Sequence, residues 1–503
     1  MSSPSRPSPE DSDVQPRWWP PVLVLSIGWA LAFSVLTSCA SAINLAGASL
    51  SGNPNLDTLP LSATSFSTAL FNFLLPSIFK RLGRHRGYVA GTFFGIAGGL
   101  CCMVAIELKL FSLLILGGVA IGISLSNAQN YRFGVILCVP EAQRSVAISW
   151  VLAGGVAGAV IGPEFSKHAL NLLPARYSGI FLICSCVCGL HCLVLLLGKP
   201  TLHGLSGGPK PPAQASARTT RVPPTKPEAA KGDNSPLTPP ATPPLTPPAT
   251  LPATPPATPP PPARGLLVIF SQPRCAASTL IASLSYGVMV FLMSALPLAM
   301  SDSSIDFPSS STSVQIHMVC MFAPSFVTGH LVRRLGAPVM QALGAALMAA
   351  GGAIMYGWSE VPGTGIGSYA GADSAALGPV GGGHFAAFTL SQAAIGIGWN
   401  WCFVAATSGL TELTHAPERP KAQAANDIAV FTTTGVVGVA AAAVYQAVGW
   451  VAMQMSTFGV GGAILAIVLL SEGLERARHL PRRAGLEVVE GPEHAEQESA
   501  ETV

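Results

Sequence analysis

Charge is what this chain has least of. Only 10% of its 503 residues are Asp, Glu, Lys or Arg, against about 25% in an ordinary soluble protein. A typical water-soluble enzyme is therefore excluded. Neither sign dominates: the formal net charge is +3, too little to draw a nucleic acid. Cysteine in polar loops is missing too. All 11 cysteines lie in apolar stretches, so no extracellular disulfide framework is written here and the redox compartment stays open. The chain also lacks a Gly-rich phosphate loop before Lys-Ser/Thr, a Gly-x-Ser-x-Gly elbow and a paired metal motif. No catalysis, no cofactor, no metal and no ATP-driven work are expected of it. Residues 1–17 are Ser/Pro-rich with three acids and lack the layout of a signal peptide.

What is present is apolar length. Half the residues are hydrophobic, and they gather into twelve segments near 22–46, 59–79, 87–106, 111–135, 147–169 and 177–197, then 274–300, 313–332, 339–358, 384–410, 427–446 and 448–470. Such lengths cross about 30 Å of hydrocarbon. Only helices satisfy their backbone within one segment in lipid, and the two-residue alternation of a barrel is absent. Basic residues give the orientation. With the N-terminus in the cytosol, only Lys109, Lys167 and Arg176, 3 of 27 basic residues, fall outside. Both termini are therefore expected in the cytosol.

Between the sixth and seventh segments, residues 199–264 hold 21 of the 44 prolines. Such a stretch cannot bury a core and reads as a solvated cytosolic linker, with Ser/Thr-Pro steps such as Thr238 and Thr242 as candidate phosphorylation sites. Residues 471–503 read as an acidic, disordered tail with eight glutamates. The expected organisation is a disordered N-terminus (1–17), a six-helix bundle (18–198), the linker (199–264), a second six-helix bundle (265–470) and the tail (471–503). The halves echo each other. Arg81-Leu82-Gly83 follows the second segment and Arg334-Leu335-Gly336 the eighth. Pro76-Ser77 and Pro324-Ser325 precede them, and Pro140-Glu141 is matched by Pro417-Glu418. Two such halves around a midplane site are the architecture of many secondary transporters.

On these motifs the chain resembles the major facilitator superfamily over about residues 18–475, linker excluded. The superfamily's loop signature, Gly-x-x-x-Asp-Arg-x-Gly-Arg-Arg/Lys, is matched by Arg81, Gly83 and Arg84, with Lys80 standing where the aspartate belongs. Gly154, Gly158 and Gly162 followed by Pro163 resemble part of the antiporter-type motif, without its trailing glycines. Gln129 to Phe133, Gly396 to Asn400 and Lys421 to Asp427 are similar to a poorly characterised, largely bacterial branch with Tyr-Arg-Phe on the fourth helix. The resemblance implies twelve helices in two pseudo-symmetric halves, alternating access, and the inner-loop role of Arg81, Gly83 and Arg84.

Polar residues at membrane depth are costly and therefore informative. A continuous fourth helix puts Arg132 about 12 Å inside its Pro140 end, sharing a face with Gln129. It is either a substrate contact for a carboxylate or other planar anion, or a structural ion pair. Gln423, Asn426 and Asp427 open the eleventh segment on one face. Asp427 has three readings: a gate partner of Arg132, a proton site, or a carboxylate favoured at a helix start. Glu164 sits near the outer end of the fifth segment, as a proton carrier or as an interfacial acid beside Lys167. Trp399, Asn400 and Trp401 lie mid-helix, where Trp is unusual, and offer a cavity wall for a flat ring. Asn44, Asn72, His317 and Gln315 are weaker cavity candidates. Cys184, Cys188, His191 and Cys192 share a face, but one helix cannot wrap a metal.

The expectation is thus an all-α membrane protein of twelve helices moving a small solute by alternating access, coupled to a proton or ion. Gln129, Tyr131, Arg132, Trp399 and Asn400 are its substrate or cavity residues, and Asp427 and Glu164 its gate or coupling residues. Membrane lipid and the solute are its partners, and it works as a monomer. A non-transporting receptor or scaffold on the same fold is the alternative.

Overall fold

The computed structural model describes residues 18–140, 143–206, 264–360, 382–415 and 418–487. These form helices and turns, with no strand among the described residues. The spans are α1 (Trp19–Leu50), α2 (Leu59–Leu82), α3 (Arg84–Glu107), α4 (Phe111–Gln129), α5 (Arg144–Ala169), α6 (Ser178–Leu197), α7 (Pro273–Asp302), α8 (Phe307–Phe322 followed by Ser325–Leu335), α9 (Ala337–Ser359), α10 (Gly382–Leu413), α11 (Arg419–Gln454) and α12 (Ser456–Glu487). Among the described residues, ten helices are long and apolar enough to cross a membrane. The other two spans are special: α8 is interrupted, and α10 carries His384, Gln392 and Asn400 among its apolar residues. The N-terminal segment 1–17, most of the linker and the end of the tail lie outside the described residues.

Local chemistry explains the breaks. In α2, Pro76 is carried inside a continuous helix, whereas Pro324, its counterpart in α8, divides the helix after Phe322. Proline removes a backbone donor and crowds the preceding turn. The repeat is written in the backbone as well. Gly83 (φ +77°, ψ 153°) and Gly336 (φ +85°, ψ 154°) take the same left-handed corner after α2 and α8, a conformation that favours a residue without Cβ. Gly449, with φ +77°, divides the long α11 stretch. Tyr445 reaches Asp302 at the end of α7, while Glu472 on α12 pairs with Arg274 at the start of α7. The chain therefore reverses about Gly449.

Three boundaries differ from the sequence expectation. The fourth helix is not continuous: it ends at Gln129, and a short turn, Tyr131–Gly134, follows. The eleventh begins at Arg419 rather than Asp427. The twelfth continues to Glu487, so the first part of the expected tail is helical.

Within the first six spans α1 packs on α5 and α6, and α3 on α4 and α6. Within the last six α7 packs on α10 and α11, and α9 on α10 and α12. The halves meet through α2 with α11, α5 with α8, and α1 with α7. Lys80, Arg81, Arg84, Arg333 and Arg334 gather at one end, termed here the basic end; the other is the far end. Polar contacts between halves crowd toward the far end. Asn44 Nδ2 donates to Ser294 O at 2.7 Å, Gln315 Nε2 to Val160 O at 3.0 Å, Ser311 Oγ to Pro163 O at 3.2 Å, and Ala442 N to Thr58 Oγ1 at 3.3 Å. Tyr177 meets Phe307 edge-on there, with centroids 5.6 Å apart. Outside these contacts, at the same end, Asp57, Lys109, Arg176 and Asp302 line an outer cleft between the halves.

Candidate functional site

Toward the basic end, the Arg132–Asp427 charge pair joins the halves. Arg132 Nη2, from the turn after α4, lies 3.6 Å from Asp427 Oδ2 on α11. That spacing is beyond a good hydrogen bond. The side chains are 33% and 21% exposed, so the pair sits in a mouth and not in a sealed core. Arg132 Nε is buried with no partner, and its guanidinium lies 4.8 Å over the Phe133 ring. Because α11 starts at Arg419, Asp427 lies about 12 Å inside the helix. A helix-dipole effect fades within the first turn, which removes the helix-start reading of Asp427.

Beside Arg132, carboxamides on α2 and α4 are wired together. Asn72 Oδ1 accepts from Ser126 Oγ and from Asn130 Nδ2, both at 3.3 Å. Asn72 Nδ2 donates to Gln129 Oε1 at 3.4 Å. Gln129 and Asn130 are half-buried.

An aromatic wall faces them from the second half. Tyr286 on α7 meets Trp399 at 5.1 Å, Phe403 at 5.4 Å and Phe431 at 5.9 Å between centroids. Phe431 follows Asp427 by one turn of α11, which brings the wall up to the charge pair. Phe322, at the α8 break, meets Phe33 of α1 edge-on at 4.7 Å. Tyr286, Phe322, Phe403 and Phe431 keep partial exposure. Together they make a surface for a flat ring, with charge at its rim.

The other sequence candidates go elsewhere. Trp399 is 4% exposed and stacks behind Phe403 at 5.0 Å, so it backs the wall rather than lining it. Asn400, 1% exposed, is a clasp. Its Nδ2 donates to Met321 O at 2.7 Å and to Ser325 Oγ at 2.6 Å, and its Oδ1 accepts from Thr328 Oγ1 at 2.7 Å. These bonds satisfy groups around the break that Pro324 makes in α8. Tyr131, 1% exposed, turns into the first half, where its hydroxyl meets His191 Nε2 at 2.8 Å. Its burial removes it from the cavity, and the same bond engages His191 of the cysteine-rich face. Glu164 pairs with Lys167 at 2.7 Å with 43% of its side chain exposed, the geometry of an interfacial acid. Arg81 is exposed at the basic end, Gly83 forms the corner, and Arg84 lies 5.7 Å over the Phe79 ring. Of the weaker candidates Asn72 joins the site, whereas Asn44 and Gln315 hold the far-end seam. His317 is fully buried and bonded to Gln392 O at 2.7 Å.

Sequence reasoning missed Tyr286, Phe322, Phe403 and Phe431. Each is an ordinary aromatic in an apolar run, and only the packing of α7, α8, α10 and α11 brings them together. It also missed a clasp at the linker's end. Arg264 donates from Nε at 2.8 Å and Nη2 at 2.7 Å to the Glu418 carboxylate, and its backbone N adds a third bond at 2.8 Å. Glu418 is inaccessible to solvent. The Arg264 guanidinium holds its carboxyl down at about 2.

Comparison with known proteins agrees with the fold. The model of the Major Facilitator Superfamily matches residues 22–393. The riboflavin transporter RfnT of Brucella anthropi is 28% identical over 450 residues, covering 89% of this chain and 95% of that protein. The uncharacterised superfamily transporter YddS of Bacillus subtilis is 21% identical, covering 86% and 85%. Among solved structures, a bacterial homologue of the human lysosomal transporter Spinster, inward-facing and unoccupied, aligns with a TM-score of 0.60 at 12% identity, over 91% of this chain and 97% of that one.

Proposed function

The chain belongs to the Major Facilitator Superfamily, and from that premise we propose that it carries a flat, heteroaromatic solute across a membrane by alternating access. Riboflavin is the first solute to test. The observation that carries the reading is the aromatic wall of Tyr286, Phe322, Phe403 and Phe431 standing beside the Arg132–Asp427 pair. A wall of rings stacks a flat solute, and a charge pair at its rim orients polar edges. The name and extent of the Brucella relative favour riboflavin over other flat solutes.

The basic end is assigned to the cytosol by the distribution of lysine and arginine. The seam contacts gathered toward the far end support reading this as an inward-facing arrangement. Asp427, adjacent to a cation at membrane depth, is the candidate group for coupling to a proton. Binding of solute draws α4 and α11 together at the basic end while the far-end seam loosens.

The test is riboflavin uptake by a bacterial auxotroph that lacks its own importer, followed by flux into proteoliposomes. The reading expects growth at low riboflavin, uptake that collapses with a protonophore, and no requirement for ATP. Unchanged uptake under the protonophore would replace coupling by facilitated diffusion. No flux of riboflavin would remove it as the solute.

A further inference from the structure

We propose that Gln129, Asp427 and Arg132 form one recognition edge that reads a cyclic imide, a ring N–H flanked by two carbonyls. The inference deepens the preceding reading and rests on it. An imide edge presents acceptor, donor, acceptor. Its complement is donor, acceptor, donor. The complementary groups are present where α4 ends and α11 passes: Gln129 at the end of α4 can donate, the Asp427 carboxylate on α11 can accept, and the Arg132 guanidinium 3.6 Å from it can donate.

Three observations support the assignment. First, the Gln129 carboxamide is fixed the right way round. Asn72 Oδ1 is occupied by donors from Ser126 and Asn130, so Asn72 can only donate to Gln129, through Nδ2. That uses Gln129 Oε1 and leaves its two N–H groups with no acceptor among the described residues.

Second, Arg132 and Asp427 are near but not bonded. At 3.6 Å they attract without closing, and among the described residues the guanidinium makes no hydrogen bond. Its Nε is buried and unpartnered. The exposed part of the guanidinium can take a ligand carbonyl, and the Asp427 carboxylate beside it a ring N–H.

Third, the edge borders the aromatic wall. Phe431 lies one helical turn beyond Asp427 on α11, and Phe431 and Phe403 both pack on Tyr286. A tricyclic ring stacked there brings its imide edge to the charges and leaves a side chain on the opposite side free. The pair thus doubles as gate and reader: the imide bridges α4 and α11, and bridging them closes the basic end.

The test uses the full chain in lipid nanodiscs and four probes: riboflavin, its N3-methyl derivative, the bare alloxazine ring without the sugar-alcohol chain, and N3-methylalloxazine. Methylation at N3 deletes the ring N–H and places a methyl against Asp427. We expect the bare ring to raise the midpoint of thermal unfolding. N3-methylriboflavin should compete about tenfold or more weakly than riboflavin, the loss of one bond to a charged acceptor. Gln129→Glu should weaken riboflavin by about tenfold while leaving the protein folded at wild-type yield. If riboflavin is carried but its N3-methyl derivative competes equally, the imide edge is wrong and the substrate stands. If riboflavin is not carried, yet alloxazine stabilises the protein and its N-methylated form does not, the edge stands and the substrate is wrong. Stabilisation by neither ring overturns both.

Discussion

Removing one member of the Arg132–Asp427 pair should cost more than removing both would suggest. At 3.6 Å and an effective dielectric of about 20, two unit charges attract by about 4–5 kcal/mol. Desolvation offsets part of this. With 33% and 21% of the two side chains exposed, solvent screens more of it. A net coupling of about 1–2 kcal/mol remains. Arg132→Ala leaves Asp427 uncompensated at membrane depth, and Asp427→Ala leaves Arg132 so. Each single variant should lower the unfolding midpoint and the folded yield. The double variant should lose less than the two singles together and recover folded yield relative to at least one of them. Its flux should stay low, since the residues that read the solute are gone. The assay is a double-mutant cycle on unfolding in nanodiscs, alongside flux in vesicles. Losses additive within about 0.3 kcal/mol would refute an interaction between the two, and Arg132 would then face the solute alone.

Three other outcomes follow from named contacts. Asn400→Leu should destabilise the protein by about 2–4 kcal/mol, read from denaturant unfolding, because it strands Met321 O and the Ser325 hydroxyl around the α8 break. Glu418 has a folded pKa held below its unfolded value. Its contribution is therefore full above about pH 4.3 and fades as the pH falls toward 2; Glu418→Gln should lose stability at pH 7 and flatten that acid limb in a melting series. Deleting residues 208–260, which keeps Arg264 and its clasp, should leave flux and membrane insertion intact, since the composition of that segment supplies no packed core; lost flux in the deletion would overturn this.

Helix count and the two-half repeat were legible because lipid demands long apolar helices and because Arg-Leu-Gly recurs at equivalent corners, Gly83 and Gly336. The Arg132–Asp427 contact was legible as an option, since two isolated charges at similar depth need partners. Breaks were harder. Pro76 and Pro324 look alike in sequence, yet only the second divides its helix, and the clasp that serves that break, Asn400, lies 76 residues further on. Asn400 and Tyr131 were therefore mistaken for cavity residues: both are polar groups in lipid, but their partners are long-range and within their own half. The aromatic wall carried no local signal, because Tyr286 and Phe431 gain meaning only when α7 and α11 pack. The start of α11 was placed late because Arg419 to Asn426 is too polar to read as membrane helix, though a helix can begin in water before it enters lipid.

The central claim is that the halves, joined at the far end, rock to close the basic end around the solute. Electron-spin distance measurements test it most directly. Labels introduced through an unnatural amino acid at Arg81 and Arg334 report the basic end, and labels at Asn55 and Asp306 report the far end. On adding riboflavin to the full chain in nanodiscs, the Arg81–Arg334 distances should shorten and the Asn55–Asp306 distances lengthen. Distances that stay fixed at both ends under saturating riboflavin, or that shift in the same direction, would contradict it.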